Sequence, residues 1–96
     1  MSNELHYVYI LKCNDNTYYT GYTKDIKKRV KIHNEGKGAK YTRGRGPHQL
    51  VYTQSFETKG EALRNEYKIK QLSRKEKEML IAKESRKIND SNPEKL

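Results

Sequence analysis

The hydrophobic positions of this chain fall into short segments that are separated by turn-forming and charged residues. Residues 5–12 (LHYVYILK) carry apolar side chains at both parities, which is typical of a β-strand covered on both faces. A turn cluster at residues 14–16, followed by β-branched and aromatic side chains at residues 17–23, predicts a hairpin. After Pro47, residues 48–56 (HQLVYTQSF) show a third strand pattern. Three strands are therefore expected.

Helices are predicted between and after these strands. The first begins after Thr23, whose hydroxyl suits an N-cap, and ends near Gly36. Its apolar residues at helical spacing are Ile26, Val30 and Ile32. A second helix is expected at about residues 59–72, and Ser73 is placed to cap a last helix that continues to about residue 81.

Together these elements predict one α/β domain over residues 1–85, with a three-stranded, largely antiparallel sheet flanked by about three helices. Residues 86–96 are polar and are expected to form a frayed tail. With 32% hydrophobic residues the core must be thin, and the eight Tyr must supply much of its apolar area. No apolar run approaches the roughly 20 residues that span a bilayer, and the N-terminus lacks a secretion signal, so a cytoplasmic protein is expected.

The charge of the chain changes this picture, because it is strongly positive and unevenly spread. There are 21 Lys and Arg against 12 Asp and Glu, a net charge of +9, of which residues 24–45 alone contribute +7. A solvated surface would also carry such charge, but residues 37–45 (KGAKYTRGR) mix cations, an aromatic ring and glycines in a stretch unsuited to a helix. This composition favours contact with nucleic acid over a membrane. The candidate nucleic-acid-binding residues are Lys37, Lys40, Tyr41, Arg43 and Arg45.

Charged residues also interrupt the predicted inward faces of two helices. At about 100° per residue, Arg29 and His33 fall within the apolar stripe of the first helix. Glu66 falls in the middle of the apolar face of the second helix, which comprises Leu63, Tyr67, Ala62 and Ile69. Burying an unpaired ion costs several kcal/mol, so something must compensate these side chains. One interpretation is an Arg29–Glu66 salt bridge between packed helices; the other is a cleft whose cation and carboxylate bind a phosphodiester and a hard metal ion.

With two strand motifs, these residues resemble the GIY-YIG nuclease family. YVY at residues 7–9 stands where the family has Gly-Ile-Tyr, and YTG at residues 19–21 stands where it has Tyr-Ile-Gly. Arg29 lies on the helix where the family's arginine is expected, and His33 follows one turn later, where many members carry histidine. Glu66 resembles the family's metal-binding glutamate.

The resemblance extends from residue 7 to about residue 81 and is closest to the small stand-alone bacterial UPF0213 group. Two positions depart from the family's name motifs, because Tyr7 replaces the first glycine and Thr20 replaces the isoleucine of the second motif. We interpret both as characters of this group.

The resemblance implies hydrolysis of phosphodiester bonds with one Mg²⁺ or Mn²⁺ bound by Glu66. Arg29 would stabilise charge on the phosphoryl oxygens by planar, bidentate donation, and Tyr19, with Tyr9 nearby, would position or deprotonate the attacking water. Gly21 would leave room for the substrate backbone. The implied catalytic residues are Tyr9, Tyr19, Arg29, His33 and Glu66.

Two functions from different classes follow. The leading hypothesis is a metal-dependent endonuclease with DNA as the favoured substrate and RNA as the alternative. The alternative is a catalytically silent nucleic-acid-binding module with the same fold. Both predict salt-sensitive binding, but only the first requires Glu66 and a divalent metal.

Overall fold

The computed structural model describes residues 4–38, 44 and 46–90, with side chains as far as residue 84. Its elements are, in chain order, β1 (His6–Lys12), β2 (Tyr18–Thr23), α1 (Ile26–Asn34), β3 (Gln49–Phe56), α2 (Lys59–Lys70) and α3 (Arg74–Asp90). Each strand lies within one residue of its predicted bounds, and the predicted α/β class is confirmed. Over these residues no helix is both long enough and apolar enough to cross a membrane.

The strands form one antiparallel sheet in the order β2-β1-β3, so β1 is the central strand. A tight turn joins β1 to β2, in which the Cys13 N–H donates to the Thr17 carbonyl at 2.8 Å. The Asp15 carboxylate accepts hydrogen bonds from the Thr17 N–H at 3.2 Å and from the Thr17 hydroxyl at 2.6 Å. The hairpin therefore turns at the predicted residues, and the turn fixes the register of the two strands.

Both faces of β1 are covered, as its unbroken apolar pattern predicted. Val8 and Ile10 have no exposed surface and pack towards α2. Tyr9 and Leu11 point to the opposite face, where they are 2% and 0% exposed. The core on the α2 face comprises Val8, Ile10, Tyr52, Ala62 and Ile69.

α1 is a short helix that is capped at both ends. Its N-cap is Asp25, not Thr23 as predicted: the Asp25 carboxylate accepts from the Lys28 N–H at 3.1 Å. The Thr23 hydroxyl, two residues before this N-cap, instead accepts from the Asp25 N–H at 3.1 Å. Gly36, at φ 77°, ends the helix near the predicted residue, and its N–H donates to the His33 carbonyl at 3.0 Å.

α2 turns only one side of its predicted apolar face to the sheet. Ala62 and Ile69 are buried as predicted, whereas Leu63 and Tyr67 are 40% and 67% exposed. Relative to the prediction the helix is rotated by roughly a sixth of a turn, and the small Ala62 lets its backbone lie close to the sheet. Glu66 therefore lies at the edge of the buried face and not at its centre.

α3 is longer than predicted. Ser73 is its N-cap as expected, since its hydroxyl accepts from the Glu76 N–H at 3.2 Å and its own N–H donates to the Glu76 carboxylate at 2.8 Å. The helix continues to Asp90, so the predicted boundary at residue 85 falls inside it. The rest of the predicted tail, residues 91–96, lies outside the described residues.

The rotation of α2 is tested by comparing two large-to-small substitutions. We expect Ile69→Ala to reduce the free energy of unfolding by roughly 2–5 kcal/mol, because Ile69 is buried in the core. Leu63→Ala should cost less than about 1 kcal/mol, because Leu63 is partly exposed and Ala is the better helix former. Urea unfolding of both variants measures the difference, and a larger loss for Leu63→Ala would contradict the observed orientation.

Candidate active site

The site is built on a cross-strand pair, Tyr9 of β1 opposite Gly21 of β2. A Cβ atom at Gly21 would lie 2.5 Å from Tyr9 Oη and 2.6 Å from Tyr9 Cζ, so the phenol occupies the space that a side chain would fill. Gly21 thus makes room for Tyr9 and not, as predicted, for a substrate backbone. The glycine is required by the packing of the protein itself.

Tyr9, Tyr19 and His33 form an aromatic cluster between the sheet and α1. The His33 ring centroid lies 5.2 Å from that of Tyr19 and 6.0 Å from that of Tyr9, and the two tyrosine centroids are 6.3 Å apart. A buried hydrogen bond of 3.0 Å joins Tyr9 Oη to His33 Nε2. The prediction that Tyr9, Tyr19 and Gly21 share one face of the hairpin is confirmed.

His33 is a buried, neutral residue in this cluster. It is 2% exposed, and the backbone of Gly38 covers its ring so closely that a Cβ atom there would collide with Nδ1. Burial lowers the pKa of His33 below its ordinary value of 6.5, and the neighbouring His48 and Arg29 lower it further. His33 is therefore uncharged at neutral pH, with one ring nitrogen donating and the other accepting.

The pKa of Tyr9 reports on its charged surroundings. Burial raises it most, the Tyr19 phenol raises it further, Arg29 opposes this shift, and the Glu66 carboxylate adds to it. Tyr9 therefore keeps its proton at neutral pH, and it is suited to holding His33 in place rather than to taking a proton from water. Arg29 and Glu66 are both near enough to act on this phenol, although they come from different helices.

Arg29 does not face inward as the helical wheel predicted, because it is exposed on α1 one turn before His33. Within the described residues it forms no ion pair with Glu66, so the predicted alternative of an interhelical salt bridge is wrong. An exposed guanidinium needs no buried partner, which removes the energetic conflict that the wheel had indicated. Its donors remain available to a ligand.

Glu66 lies on α2 with its side chain 17% exposed, and its ion-pair partner is Lys70, one turn later, at 3.1 Å. The Lys70 side chain is 51% exposed, and helix pairs of this spacing contribute only a few tenths of a kcal/mol. Lys70 therefore neutralises the carboxylate without fixing it.

The donor set suits a hard divalent ion that is shared with a ligand. Within the part of the chain that the structure describes, no three His, Cys, Asp or Glu side chains are grouped to hold a metal. Mg²⁺ and Mn²⁺ prefer oxygen ligands, and Mg²⁺ keeps several waters, so one carboxylate suffices when phosphate oxygens complete the coordination. Glu66 offers such a carboxylate and fits this kind of site.

Two residues beside the cluster, His48 and Asn34, were not predicted. His48 is 7% exposed, its ring centroid lies 6.0 Å from that of His33, and both its N–H and its Nδ1 contact Asn34 Oδ1, at 2.8 and 3.0 Å. Nothing in the local sequence distinguishes His48 from an ordinary residue at the start of a strand. Only the tertiary fold brings it to α1.

The predicted basic loop is mostly outside the described residues. Lys37 is described and exposed. The other candidates in the loop, for which the prediction stands untested, are Lys40, Tyr41, Arg43 and Arg45.

The close approach of Tyr9 to Gly21 predicts that alanine is destabilising at position 21 but not at a glycine with free space around it. Gly21→Ala should reduce the free energy of unfolding by roughly 1–3 kcal/mol, because the new methyl group must displace the phenol. Gly60→Ala in α2 is the matched control, since its Cβ would meet only the flexible end of Arg64 at 3.5 Å. This control should be neutral or stabilising. Equal losses in thermal or urea unfolding would contradict the packing.

The lowered pKa of His33 predicts how stability responds to acid. Because the unfolded chain takes up a proton at this position first, stability is lost as the pH falls below the ordinary value of 6.5. Urea unfolding at about pH 7.5 and about pH 5.5 should therefore show a smaller loss for His33→Gln than for the wild type. Ile32→Val, on the same helix, changes packing but no titratable group and should retain the wild-type loss. Identical losses in all three proteins would refute the assignment.

Comparison with known proteins agrees with this geometry. The model of the GIY-YIG catalytic domain matches residues 5–95. A UPF0213 protein of Bacillus velezensis is 56% identical over 86 residues, which cover 90% of this chain and 87% of the relative. A UPF0213 protein of Halobacterium salinarum is 60% identical over 77 residues, which cover 80% of this chain and all of the relative.

Solved structures show the same likeness. The solution NMR structure of a UPF0213 protein from Bacillus halodurans has 59% sequence identity and a TM-score of 0.55, and the match covers 81% of this chain and 83% of that one. The solution NMR structure of a protein from E. faecalis has 42% identity and a TM-score of 0.59, with 86% and 90% of the two chains covered. With the Tyr9–Gly21 pair, Arg29 and Glu66 in their observed places, this chain belongs to the GIY-YIG family and to its UPF0213 group.

Proposed function

We propose that this protein is a metal-dependent endonuclease that hydrolyses phosphodiester bonds in nucleic acid, with DNA as the favoured substrate and RNA as the alternative. The observation that carries this proposal is the buried hydrogen bond between Tyr9 of β1 and His33 of α1, with Arg29 and Glu66 near the Tyr9 phenol from two different helices. A guanidinium suited to phosphate oxygens and a carboxylate suited to a metal ion therefore lie beside one aromatic cluster. Membership of the GIY-YIG family supports the same conclusion.

Glu66 is the residue that we assign to hold the divalent ion, Mg²⁺ or Mn²⁺. Such an ion acts as a Lewis acid on a phosphoryl oxygen and lowers the pKa of bound water. In the structure Lys70 neutralises the carboxylate at 3.1 Å. Glu66 is partly exposed, so its carboxylate would hold an ion that is also open to water and to a substrate phosphate.

Arg29 is assigned to the phosphate of the substrate. Its exposed guanidinium presents planar, forked donors that match two phosphate oxygens, and it stabilises the negative charge that develops on them. Lys would supply the same net charge at this position without the paired hydrogen bonds. The geometry of donation, and not charge alone, is therefore the contribution of this residue.

The aromatic cluster is assigned a positioning role. The neutral Tyr9–His33 pair holds α1, and with it Arg29, against the sheet. Tyr19 is only half-buried beside this pair, so we assign it to orient the attacking water. We propose that the nucleic-acid backbone is bound by exposed cations of this part of the chain, namely Lys24, Lys27, Lys28, Lys31 and Lys37.

The proposal is tested by incubating labelled linear, branched and single-stranded DNA and RNA with Mg²⁺, Mn²⁺ or EDTA. Cleavage should require the metal and fall by roughly 100-fold or more in Glu66→Gln and Arg29→Ala, because each removes a charge that acts in the transition state. Arg29→Lys should recover only a small part of the activity, since bidentate donation is lost.

Glu78→Gln is the matched control for the carboxylate. Glu78 forms a similar i,i+4 pair with Arg74 at 3.1 Å on α3, so this variant loses an equivalent ion pair away from the site and should cut like the wild type. Cleavage that survives in Glu66→Gln would exclude the proposed metal site. Salt-sensitive binding without cleavage of any substrate would instead identify a silent nucleic-acid-binding module.

A further inference from the structure

Tyr67 differs from the other tyrosines that the structure describes, because it is not used in packing. It is 67% exposed, whereas Tyr9 and Tyr52 are buried and the remaining described tyrosines are half-buried. In the described part of the chain its ring and hydroxyl make no recorded hydrogen bond or ring contact. Leu63, one turn earlier on α2, is 40% exposed, so the two side chains form an apolar strip on the surface. A chain with so few hydrophobic residues has left a large aromatic ring in solvent.

The position of this strip relates it to the proposed catalytic carboxylate. Tyr67 follows Glu66 directly, so their Cα atoms are about 3.8 Å apart. Lys70 lies between them on the helix surface, since it is one turn after Glu66 and is ion-paired with it. Arg64 and Lys68, on the other side of the strip, are also exposed. The exposed ring is therefore bordered by cations and lies about 100° around the helix from Glu66, with Lys70 between them.

An aromatic ring surrounded by cations is suited to one class of ligand. Nucleic acid offers both matching groups, because its phosphates pair with Lys and Arg while the face of a base stacks on an aromatic ring without regard to sequence. A hydrophobic protein segment would leave these cations without partners. Inside a duplex the faces of a base are covered by its neighbours, so only a base that has left its stack can reach the ring.

We propose that Tyr67 is a stacking site for an unstacked nucleobase beside the phosphodiester that is cut. The location beside a cleaved bond rests on the proposed nuclease function, but the stacking itself does not require catalysis. It makes Tyr67 a binding residue that selects nucleic acid with an unpaired nucleotide at the site. Arg29 and Glu66 act on the phosphate, and Tyr67 acts on the base.

The absence of tryptophan from the chain allows a direct test in EDTA, where no cleavage occurs. The Tyr67→Trp variant carries a single fluorescent reporter at the proposed site. Met79→Trp is the matched control, because Met79 is 64% exposed on α3, outside the strip. Single-stranded oligonucleotides should quench the fluorescence of Tyr67→Trp and leave that of Met79→Trp unchanged, and an abasic oligonucleotide of equal length should quench neither.

Affinity provides a second, independent measurement. By fluorescence anisotropy in EDTA, Tyr67→Ala should bind single-stranded oligonucleotides roughly tenfold more weakly, while Tyr67→Phe should bind within about twofold of the wild type. The dependence of log affinity on log salt should be unchanged in Tyr67→Ala, because a stacked base releases no counterions, whereas Lys70→Ala should reduce its slope. Both tyrosine variants lie on the surface, so their folding is not at risk.

The outcomes separate this inference from the nuclease proposal. Quenching in Tyr67→Trp and weakened binding in Tyr67→Ala, together with a wild-type protein that cuts no substrate, would support the stacking site and reject the nuclease. Metal-dependent cutting with no quenching and unchanged affinity in Tyr67→Ala would reject the stacking site alone. A wild-type protein that binds no oligonucleotide would overturn both.

Discussion

The hydrogen bond between Tyr9 and His33 is the interaction on which the arrangement of the site depends. His33 is the one residue of α1 that is buried, so this helix is anchored to the sheet chiefly by a polar side chain. The anchor exists because Gly21 lets the Tyr9 phenol lie across β2 towards the helix. Since Arg29 is one turn from His33, its position is set by the same contact. A glycine on one strand thereby determines where a cation on a helix is held.

The rest of the core also relies on amphipathic side chains, at positions where larger proteins use aliphatic ones. Tyr52 is buried, and its hydroxyl donates to Gln54 Oε1 at 2.6 Å. The Tyr22 hydroxyl lies 2.7 Å from His6 Nδ1. Arg74 lies over the Tyr18 ring at 4.7 Å from its centroid. Each ring contributes apolar area while its polar or π surface finds a partner, which is how a chain of low hydrophobicity covers a three-stranded sheet.

The sequence predicted the three strands and the β1–β2 hairpin well, because runs of β-branched and aromatic residues, a turn cluster and strand length are local properties. The pairing of β1 with β3 is not local and was not predicted. The sequence predicted the rotation of α2 poorly. The wheel gave Leu63 and Tyr67 the same weight as Ala62 and Ile69, whereas only Ala62 and Ile69 are buried against the sheet. Arg29 was assigned to the inward face for the same reason, although a long, charged side chain at the border of a stripe reaches solvent easily.

Other parts of the site were beyond a local pattern. The approach of His48 to His33 depends on how β3 returns beside α1, and no spacing along the chain encodes it. The ion pair between Lys70 and Glu66 could have been predicted, since their i,i+4 spacing is visible in the sequence and is typical of a helical ion pair. The resemblance selected its residues by their order and spacing along the chain and not by which helix face is buried, so the rotation of α2 does not affect that selection.

The central position of Tyr9 has a consequence for how this protein is dissected by mutagenesis. Tyr9, Gly21 and His33 support the fold and form the candidate site at once, so a substitution among them changes both together. Loss of activity in such a variant becomes informative about chemistry only when its unfolding is measured in parallel. Arg29, Glu66 and Tyr67 reach the surface from elements that stand without them, and they can be altered one at a time. The protein thus has an aromatic interior whose residues depend on one another, and an outer set of side chains that can be substituted independently.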